Sequence, residues 1–354
     1  MKILYLMHVG WHWIRQRPQV LAEMLAREHE LRVMHYAIYR RGHRSAGTSP
    51  PPGSRVLHRV PGRFKRALPV LGAIDAGWLA RQVAAEIRRF QPDLVWVTHP
   101  DFEPALRAAG VPRIVYDCMD DHLAFGASNS LSLARDEIQL LAAAELTLFS
   151  SASLMQRVRH RAPVGRCAVV NNGVDSSLCQ RAPVAVAPPD GRFRVGYFGT
   201  ISHWFDWPLV LRWIEALPEL EFELAGPVET ALPRHPRIHH RGVIGHRDLA
   251  DFSARCQVLA MPFKVTPLIR TVDPVKLYEY IAFDRPALAP RYAESERFEP
   301  HVDLYRDGDE ALALLRRWAP GTMQPVLPRP SRSDFLAANT WQRRMVQISA
   351  LLGS

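Results

Sequence analysis

The stretch Ala182-Pro-Val-Ala-Val-Ala-Pro-Pro-Asp-Gly-Arg-Phe-Arg-Val-Gly-Tyr-Phe-Gly199 decides how the chain is divided. Its first half sets three prolines among small apolar residues that follow no helical period. Proline blocks both helix continuation and ladder pairing, so the region 176–190 reads as a linker, with Pro183–Pro189 as a hinge. The second half, from Phe193, is a short apolar run closed by glycine, the mark of a buried strand. Further runs over 221–225, 238–241, 258–261 and 286–289 continue that series. Upstream, runs over 3–7, 31–35, 55–59, 94–98, 113–116, 146–149 and 167–170 alternate with segments of helical period such as 17–27 and 75–90. Short apolar runs alternating with amphipathic helices are the pattern of parallel sheets with crossover helices. The expectation is an α/β protein with two doubly wound, Rossmann-like domains, residues 1–180 and 191–330. Residues 331–354 carry Phe335, Leu336, Trp341, Met345, Ile348 and Leu351 at near-helical spacing and read as one closing amphipathic helix. Ligands of such sheets bind beyond the carboxyl ends of the strands, which puts the expected site in a cleft between the domains.

Length agrees with the division, since 354 residues exceed what one hydrophobic core usually serves. With 47% hydrophobic and 23% charged residues, the chain has the composition of a folded globular protein rather than a disordered one. Cys118, Cys167, Cys179 and Cys256 form no Cys-x-x-Cys pair, which suggests neither a zinc site nor a disulfide framework and fits the cytoplasm. The apolar run before His8 is too short for a signal peptide, and no window approaches the roughly 18 uncharged apolar residues of a spanning helix. Any membrane contact is therefore expected to be peripheral, at the inner face of the plasma membrane. A net charge of +10 favours anionic partners, whether phosphates, acidic lipid, acidic glycan or nucleic acid. No nucleic-acid module is recognisable, and no Gly-x-Gly-x-x-Gly opens either domain as a nicotinamide-dependent dehydrogenase requires.

The richest segment for chemistry is Pro267-Leu-Ile-Arg-Thr-Val-Asp-Pro-Val-Lys-Leu-Tyr-Glu-Tyr-Ile-Ala282. Its Asp-Pro step opens a helix near Val275, and a helix N-terminus offers free N–H groups and a positive dipole to a phosphate. Arg270 and Lys276 add positive charge for a diphosphate. Glu279, one turn on along the same face, offers a carboxylate to ribose hydroxyls. The alternative is a buried amphipathic helix whose Lys276 and Glu279 make a surface pair. The loop Gly199-Thr-Ile-Ser-His-Trp-Phe-Asp206 follows a strand, and its glycine lets backbone approach a phosphate. Gly199, Thr200 and His203 are the candidates there, against a bland reading in which Asp206 caps the next helix and Trp204 and Trp207 pack between domains.

In the first domain Asp117, Asp120, Asp121 and His122 cluster where the strand 113–116 ends. A cleft carboxylate can take the proton of an attacking hydroxyl, which makes Asp120 or Asp121 the candidate base, with neighbouring acids raising one another's pKa. After the first strand, His8-Val-Gly-Trp-His-Trp-Ile-Arg15 offers Gly10 for close backbone approach and Trp11 and Trp13 for stacking on sugar rings, or simply for packing. Gly10, Trp11 and His122 are the candidate acceptor contacts. His8 and His12 lack an evident third ligand, so no metal site is expected. Gly62-Arg-Phe-Lys-Arg-Ala-Leu-Pro-Val-Leu-Gly72 mixes cations with apolar residues, as a segment drawn to an anionic membrane does, or an ordinary basic loop.

The segment Val275 to Ala289 resembles the donor-binding helix of GT-B-fold glycosyltransferases related to family 4. Asn171-Asn-Gly-Val-Asp175, Gly196-Tyr-Phe-Gly-Thr-Ile-Ser-His-Trp-Phe-Asp-Trp207, Phe222-Glu-Leu-Ala-Gly-Pro227 and Gly242-Val-Ile-Gly-His-Arg-Asp-Leu249 resemble that family's other motifs, in the same order. Arg17-Pro-Gln-Val-Leu-Ala22 and Val115-Tyr-Asp-Cys-Met-Asp-Asp-His122 point to the branch that includes teichuronic-acid glycosyltransferases, with the xanthan glucuronosyltransferase more distant. The resemblance covers nearly the whole chain. It implies that backbone near Ile244 holds the base, Glu279 the ribose, and Val275 and Lys276 the diphosphate, with Leu277 also among the donor-site residues. It implies a closing C-terminal helix that returns to the first domain, no cofactor beyond the nucleotide-sugar co-substrate, and no catalytic metal. Many relatives carry a glutamate eight positions before the one at Glu279; here Thr271 stands there, so neither the sugar nor retention of configuration is implied. The expected activity is transfer of a hexose or uronic acid from a nucleotide-diphosphate sugar, with uridine as base, to a hydroxyl of a glycan, lipid-linked, in polysaccharide biosynthesis. A nucleotide-sugar epimerase of the same fold and a non-catalytic binder of anionic glycan or nucleic acid are the alternatives.

Overall fold

The computed structural model describes residues 1–38, 49–60, 64, 68, 70–111, 113–125, 130–179, 191–319 and 332–353. Contacts divide the chain into two units, Met1–Asn171 and Asn172–Ser354. The division falls upstream of the linker expected over 176–190, of which 180–190 lie outside the described residues.

In the first unit the chain runs β1 (Lys2–Met7), α1 (Arg17–Glu28), β2 (Glu30–Tyr36), β3 (Arg55–Leu57), α2 (Val70–Phe90), β4 (Leu94–Val97), α3 (Glu103–Ala109), β5 (Ile114–Cys118), α4 (Ser130–Ala143), β6 (Leu146–Phe149), α5 (Ala152–Arg159) and β7 (Cys167–Val169). The strands lie in the order β3-β2-β1-β4-β5-β6-β7, all pairs parallel. A parallel sheet covered on both faces reads as unbroken apolar runs, and β4, β5 and β6 are buried at every position. Strand order reverses between β1 and β4, which is where such a sheet opens its ligand crevice. Arg17, in the first turn of α1, is buried but fully engaged. Its guanidinium donates to Asp117 Oδ1 at 2.7 and 2.9 Å and to the Val170 carbonyl at 2.7 Å. The pair thereby ties α1 to the ends of β5 and β7.

The second unit continues with α6 (Ser176–Cys179), β8 (Phe193–Phe198), α7 (Trp207–Ala216), β9 (Leu220–Ala225), β10 (Ile238–His240), α8 (Leu249–Ala254), β11 (Val258–Ala260), α9 (Val275–Ala282), β12 (Ala287–Pro290), β13 (Asp303–Tyr305), α10 (Gly308–Trp318), α11 (Arg332–Ala338) and α12 (Trp341–Leu352). Its sheet has the order β10-β9-β8-β11-β12-β13, again parallel throughout, with the reversal between β8 and β11. Strand β13 has no counterpart in the sequence reading, because Asp303-Leu-Tyr305 holds only two apolar residues and makes no apolar run. The closing segment is two helices rather than one. Thr340 breaks it, its side chain accepting from Arg343 N at 3.2 Å to cap α12.

That break is held by the Asn-Gly-Val-Asp segment. Val174 N–H donates to Asn339 O at 2.8 Å and Trp341 N–H to Val174 O at 3.1 Å. A Cβ on Gly173 would stand 2.8 Å from both Thr340 C and Trp341 N, which are backbone atoms with nowhere to go. Gly173→Ala is therefore expected to lower stability by about 2 kcal/mol in urea unfolding. Gly77→Ala in α2, where a Cβ meets nothing within 4 Å, is expected to raise it by about 0.5–1 kcal/mol.

Candidate functional site

The second unit builds a cradle at the carboxyl edge of β8. The strand ends in Gly199 at φ +140°, a conformation other residues rarely adopt, and a Cβ there would lie 2.9 Å from Lys276 Cε and 2.8 Å from Tyr197 Oη. The loop thus lies directly against the first turn of α9. Behind it, Gly226 at φ +134° closes the edge of β9, and its Cβ would overlap Gly199 O at 2.1 Å. Tyr197 OH donates to Thr200 O at 2.9 Å and fixes the loop's path. Lys276 Nζ sits 3.1 Å from Glu279 Oε2 and 5.3 Å above the Phe198 ring. His246 Nε2 lies 3.9 Å from Glu279 Oε1. Glu279 is buried and Lys276 half-buried. A cation, a helix N-terminus and a glycine edge beside a buried carboxylate suit a phosphate next to a diol.

The remaining candidates divide. Val275 is half-buried at the start of α9, and Ile244 packs half-buried on the core of the unit. Leu277 points its side chain into that core and its N–H donates to Pro274 O at 2.9 Å, so this residue has neither group to spare for a diphosphate. Arg270 is exposed on a short 3-10 turn. His203 is also exposed, its Nδ1 3.3 Å from Ser202 Oγ. Asp206 does cap α7, accepting from Leu209 N at 3.3 Å, and Trp204 and Trp207 pack on the core of their own unit.

In the second unit two residues escaped the sequence reading. His246 stood in a quoted motif without a role, and Asp273 was noted only as part of an Asp-Pro step. Asp273 is buried, accepts from Asn172 N, Tyr278 OH and Arg297, and its carbonyl accepts from Asn172 Nδ2 at 2.9 Å. Burial pushes its carboxyl pKa up, while Arg297 and the Asn172 amide pull it down. An acid directly before a helix-opening proline was the available signal.

At the β1/β4 reversal of the first unit, three histidines meet. His8 follows β1, His99 follows β4 and His122 lies just past β5, with ring centroids 4.9, 5.3 and 4.4 Å apart for the pairs His8–His99, His8–His122 and His99–His122. His8 Nδ1 is 2.8 Å from Thr98 Oγ1, Asp101 N donates to His99 Nδ1 at 3.1 Å, and the buried His122 Nε2 has no partner among the described residues. Burial first, and mutual repulsion second, hold all three imidazoles well below their ordinary pKa. Three neutral rings form a face of donors and acceptors suited to uncharged hydroxyls.

The acids beside them part company. Asp121 is fully buried with its oxygens held by Arg157 and by Arg161, the latter at 2.6 Å, so it is a structural anchor and not a base. Asp120 is half-buried, and its pKa is pushed up to about 7, by burial first and then by Asp121 and Asp117 against the pull of Arg17. Gly10 serves packing rather than substrate approach, since a Cβ would lie 2.2 Å from Ile38 Cγ1. Trp11 is a core residue, not a sugar platform, with its N–H donating to His35 Nδ1 at 3.2 Å. Elsewhere Glu221, Glu223 and His239 stand close enough to hold a cation, but Arg194 and Arg241 already occupy the two carboxylates.

Residues 208–350 match the family model described as Glycosyl transferase-like. A curated relative, TuaH of Bacillus subtilis strain 168, named for teichuronic acid biosynthesis as a glycosyltransferase, is 26% identical over 246 residues, covering 62% of this chain and 61% of that one. Sucrose-phosphate synthase from Thermosynechococcus elongatus superposes with a TM-score of 0.73 at 14% identity over 99% of this chain and 98% of that one. Anabaena HepE in complex with UDP and glucose gives 0.68 at 16% identity over 100% and 99%. The UDP-forming trehalose-phosphate synthase of Burkholderia xenovorans gives 0.69 at 14% identity over 100% of both. The chain has the GT-B fold of these glycosyltransferases.

Asp120 supplies a pH test. Its folded pKa of about 7 lies above the roughly 4 of an unfolded aspartate, so the folded state holds the extra proton between those values. Stability from this group is present below about pH 4 and is lost as pH rises through 7. Asp120→Asn removes that slope. Its urea midpoint is expected to gain on wild type between pH 5 and pH 8, and equal slopes would remove Asp120 as the titrating group.

Proposed function

We propose that this GT-B chain is a glycosyltransferase that takes a hexose or uronic acid from a UDP-sugar held by its second unit and passes it to a hydroxyl of a glycan. The observation that carries this reading is the Gly199 edge packed on Lys276, with Glu279 buried one turn further along α9. Lys276 and the first amides of α9 meet the diphosphate, where they stabilise the negative charge of the departing UDP as the anomeric C–O bond breaks. Glu279 accepts from the ribose hydroxyls, with His246 beside it. UDP as carrier is supported by its presence in the HepE complex and in the name of the UDP-forming trehalose-phosphate synthase. No cofactor or metal is part of the proposal.

Asp120 of the first unit is the base that takes the proton of the acceptor hydroxyl. A pKa near 7 suits a general base at neutral pH. Thr271 contributes no carboxylate in place of the relatives' first glutamate; its Oγ1 donates to Leu268 O at 2.8 Å. The His8, His99 and His122 face is the acceptor's hydrogen-bonding wall. The acceptor is a lipid-linked glycan of a polysaccharide pathway; the TuaH relative's name, for teichuronic acid biosynthesis, supports the pathway, and the +10 charge suits an anionic acceptor or surface. No described helix is long and apolar enough to cross a membrane, and the proposed place of work is the cytoplasmic surface of one.

Calorimetric titration with UDP is expected to show saturable binding, weakened about tenfold or more in both Glu279→Ala and Lys276→Ala. Unchanged affinity in both variants would sink the donor site. With a UDP-sugar and acceptor, Asp120→Asn is expected to lower kcat by about 10²–10⁴-fold and abolish the limb near pH 7, while UDP affinity stays as in wild type. Turnover of the donor to an epimer without acceptor would replace transfer by epimerisation.

A further inference from the structure

Helix α2 has two faces of opposite character. Asp75, Leu79, Val83, Glu86 and Phe90 are buried at three- and four-residue spacing and hold it to the first unit. On the other side Val70, Ile74 and Trp78 are 63%, 59% and 44% exposed, and Arg81, Ala85 and Arg88 continue the same line, with Arg89 beside it. Leu68, just before the helix, is 57% exposed. An exposed row of large apolar side chains is unusual for a surface helix and marks a contact face.

Where the charges point makes the face specific. The helix has two acids, and both are turned inward. Asp75 pairs with Arg59 at 2.7 Å and accepts from Val60 N at 2.8 Å. Glu86 pairs with Arg32 at 2.7 Å and Arg55 at 2.9 Å. The outward face therefore carries three arginines and no acid. Beside it, Arg55, Val56, Trp78, Arg81 and Gln82 line an open groove, into whose wall the Gln82 Nε2 amide is buried without an acceptor among the described residues.

From this arrangement we propose that the outer face of α2 docks on an anionic lipid bilayer, with Val70, Ile74 and Trp78 at the headgroup and acyl boundary and Arg55 and Arg81 on a headgroup phosphate. An apolar row alone or a basic patch alone holds a protein weakly at a membrane, whereas the two together add. A second copy of the chain fits the face less well, because it would bring arginines against arginines with no acid to meet them. The proposal rests on the reading of a lipid-borne acceptor but names a different part of the molecule from the donor and acceptor sites. It also shifts the contact from the basic segment 62–72, most of which lies outside the described residues, to the helix that follows.

Flotation with vesicles of phosphatidylcholine containing about one third phosphatidylglycerol tests it, against pure phosphatidylcholine and at low and high salt. Wild type is expected to float with the anionic vesicles at low salt and not with the neutral ones. Ile74→Glu is expected to reduce partition at least about tenfold, and Arg81→Gln about fivefold. Both positions are exposed, and UDP titration of each variant checks that the fold and donor site are intact, so a failure here is separable from a failure of the catalytic reading. Absence of wild-type binding, or equal binding by the variants, would overturn the proposal. So would a dimer in sedimentation that Ile74→Glu dissociates, or salt-sensitive capture of a protein partner lost in the same variant without any vesicle binding.

Discussion

Asp273 is the point on which the second unit's site depends. A carboxylate with no exposure to water is costly unless its lone pairs are filled, and here they are filled from three directions: by the Asn172 amide, by Tyr278 OH and by Arg297. Each of these partners belongs to a different piece of chain. Asn172 opens the segment that supports the entry to α12, Tyr278 lies within α9, and Arg297 follows β12. One buried charge therefore sets the register of the segment that opens the unit, the helix at its site and the turn beyond it. Because Asp273 immediately precedes Pro274, its position also fixes where α9 begins, and so where the free amides of its first turn point.

The cradle that results is stiff where it is backbone and exchangeable where it is side chain. Gly199 and Gly226 press against one another, and Gly199 against Lys276, with no room for a Cβ, while Gly199 N–H donates to Ala225 O and Gly226 N–H to Gly242 O, both at 2.8 Å, so contact and hydrogen bonds together hold the edges of β8 and β9. The Lys276 and Glu279 pair is different. It joins a half-buried lysine to a buried carboxylate through one contact at 3.1 Å. In the absence of a ligand each group satisfies the other. In the proposed function an arriving diphosphate and diol would give both a new partner without leaving a charge bare.

Much of the fold is legible in the sequence because parallel strands buried on both faces leave unbroken apolar runs. Ile3 to Met7, Leu146 to Phe149 and Phe193 to Phe198 declare themselves in this way, and the glycine that ends the last of these runs marks the site's edge. What escapes is whatever depends on the third dimension. Trp11 looks like a sugar platform and Gly10 like an opening, because a sequence does not show that one is core and the other is pressed on Ile38. Asp120 and Asp121 are adjacent and chemically alike, but opposite sides of the chain give one to Arg157 and Arg161 and leave the other half-buried with a raised pKa. The three histidines are far apart along the chain, and only the order of β1, β4 and β5 in the sheet brings them within ring contact. The break at Thr340 is similar, since the periodicity of 331–354 continues through it and only the ladder with Val174 reveals the interruption.

The inward turn of Asp75 and Glu86 has an effect on how the surface of α2 responds to its surroundings. The helix contains no histidine, lysine, cysteine or tyrosine, and its outward charge is borne by Arg81, Arg88 and Arg89 alone. This face consequently carries one sign of charge along its length, and its attraction to other molecules is adjustable from outside, by ionic strength or by the composition of what it meets.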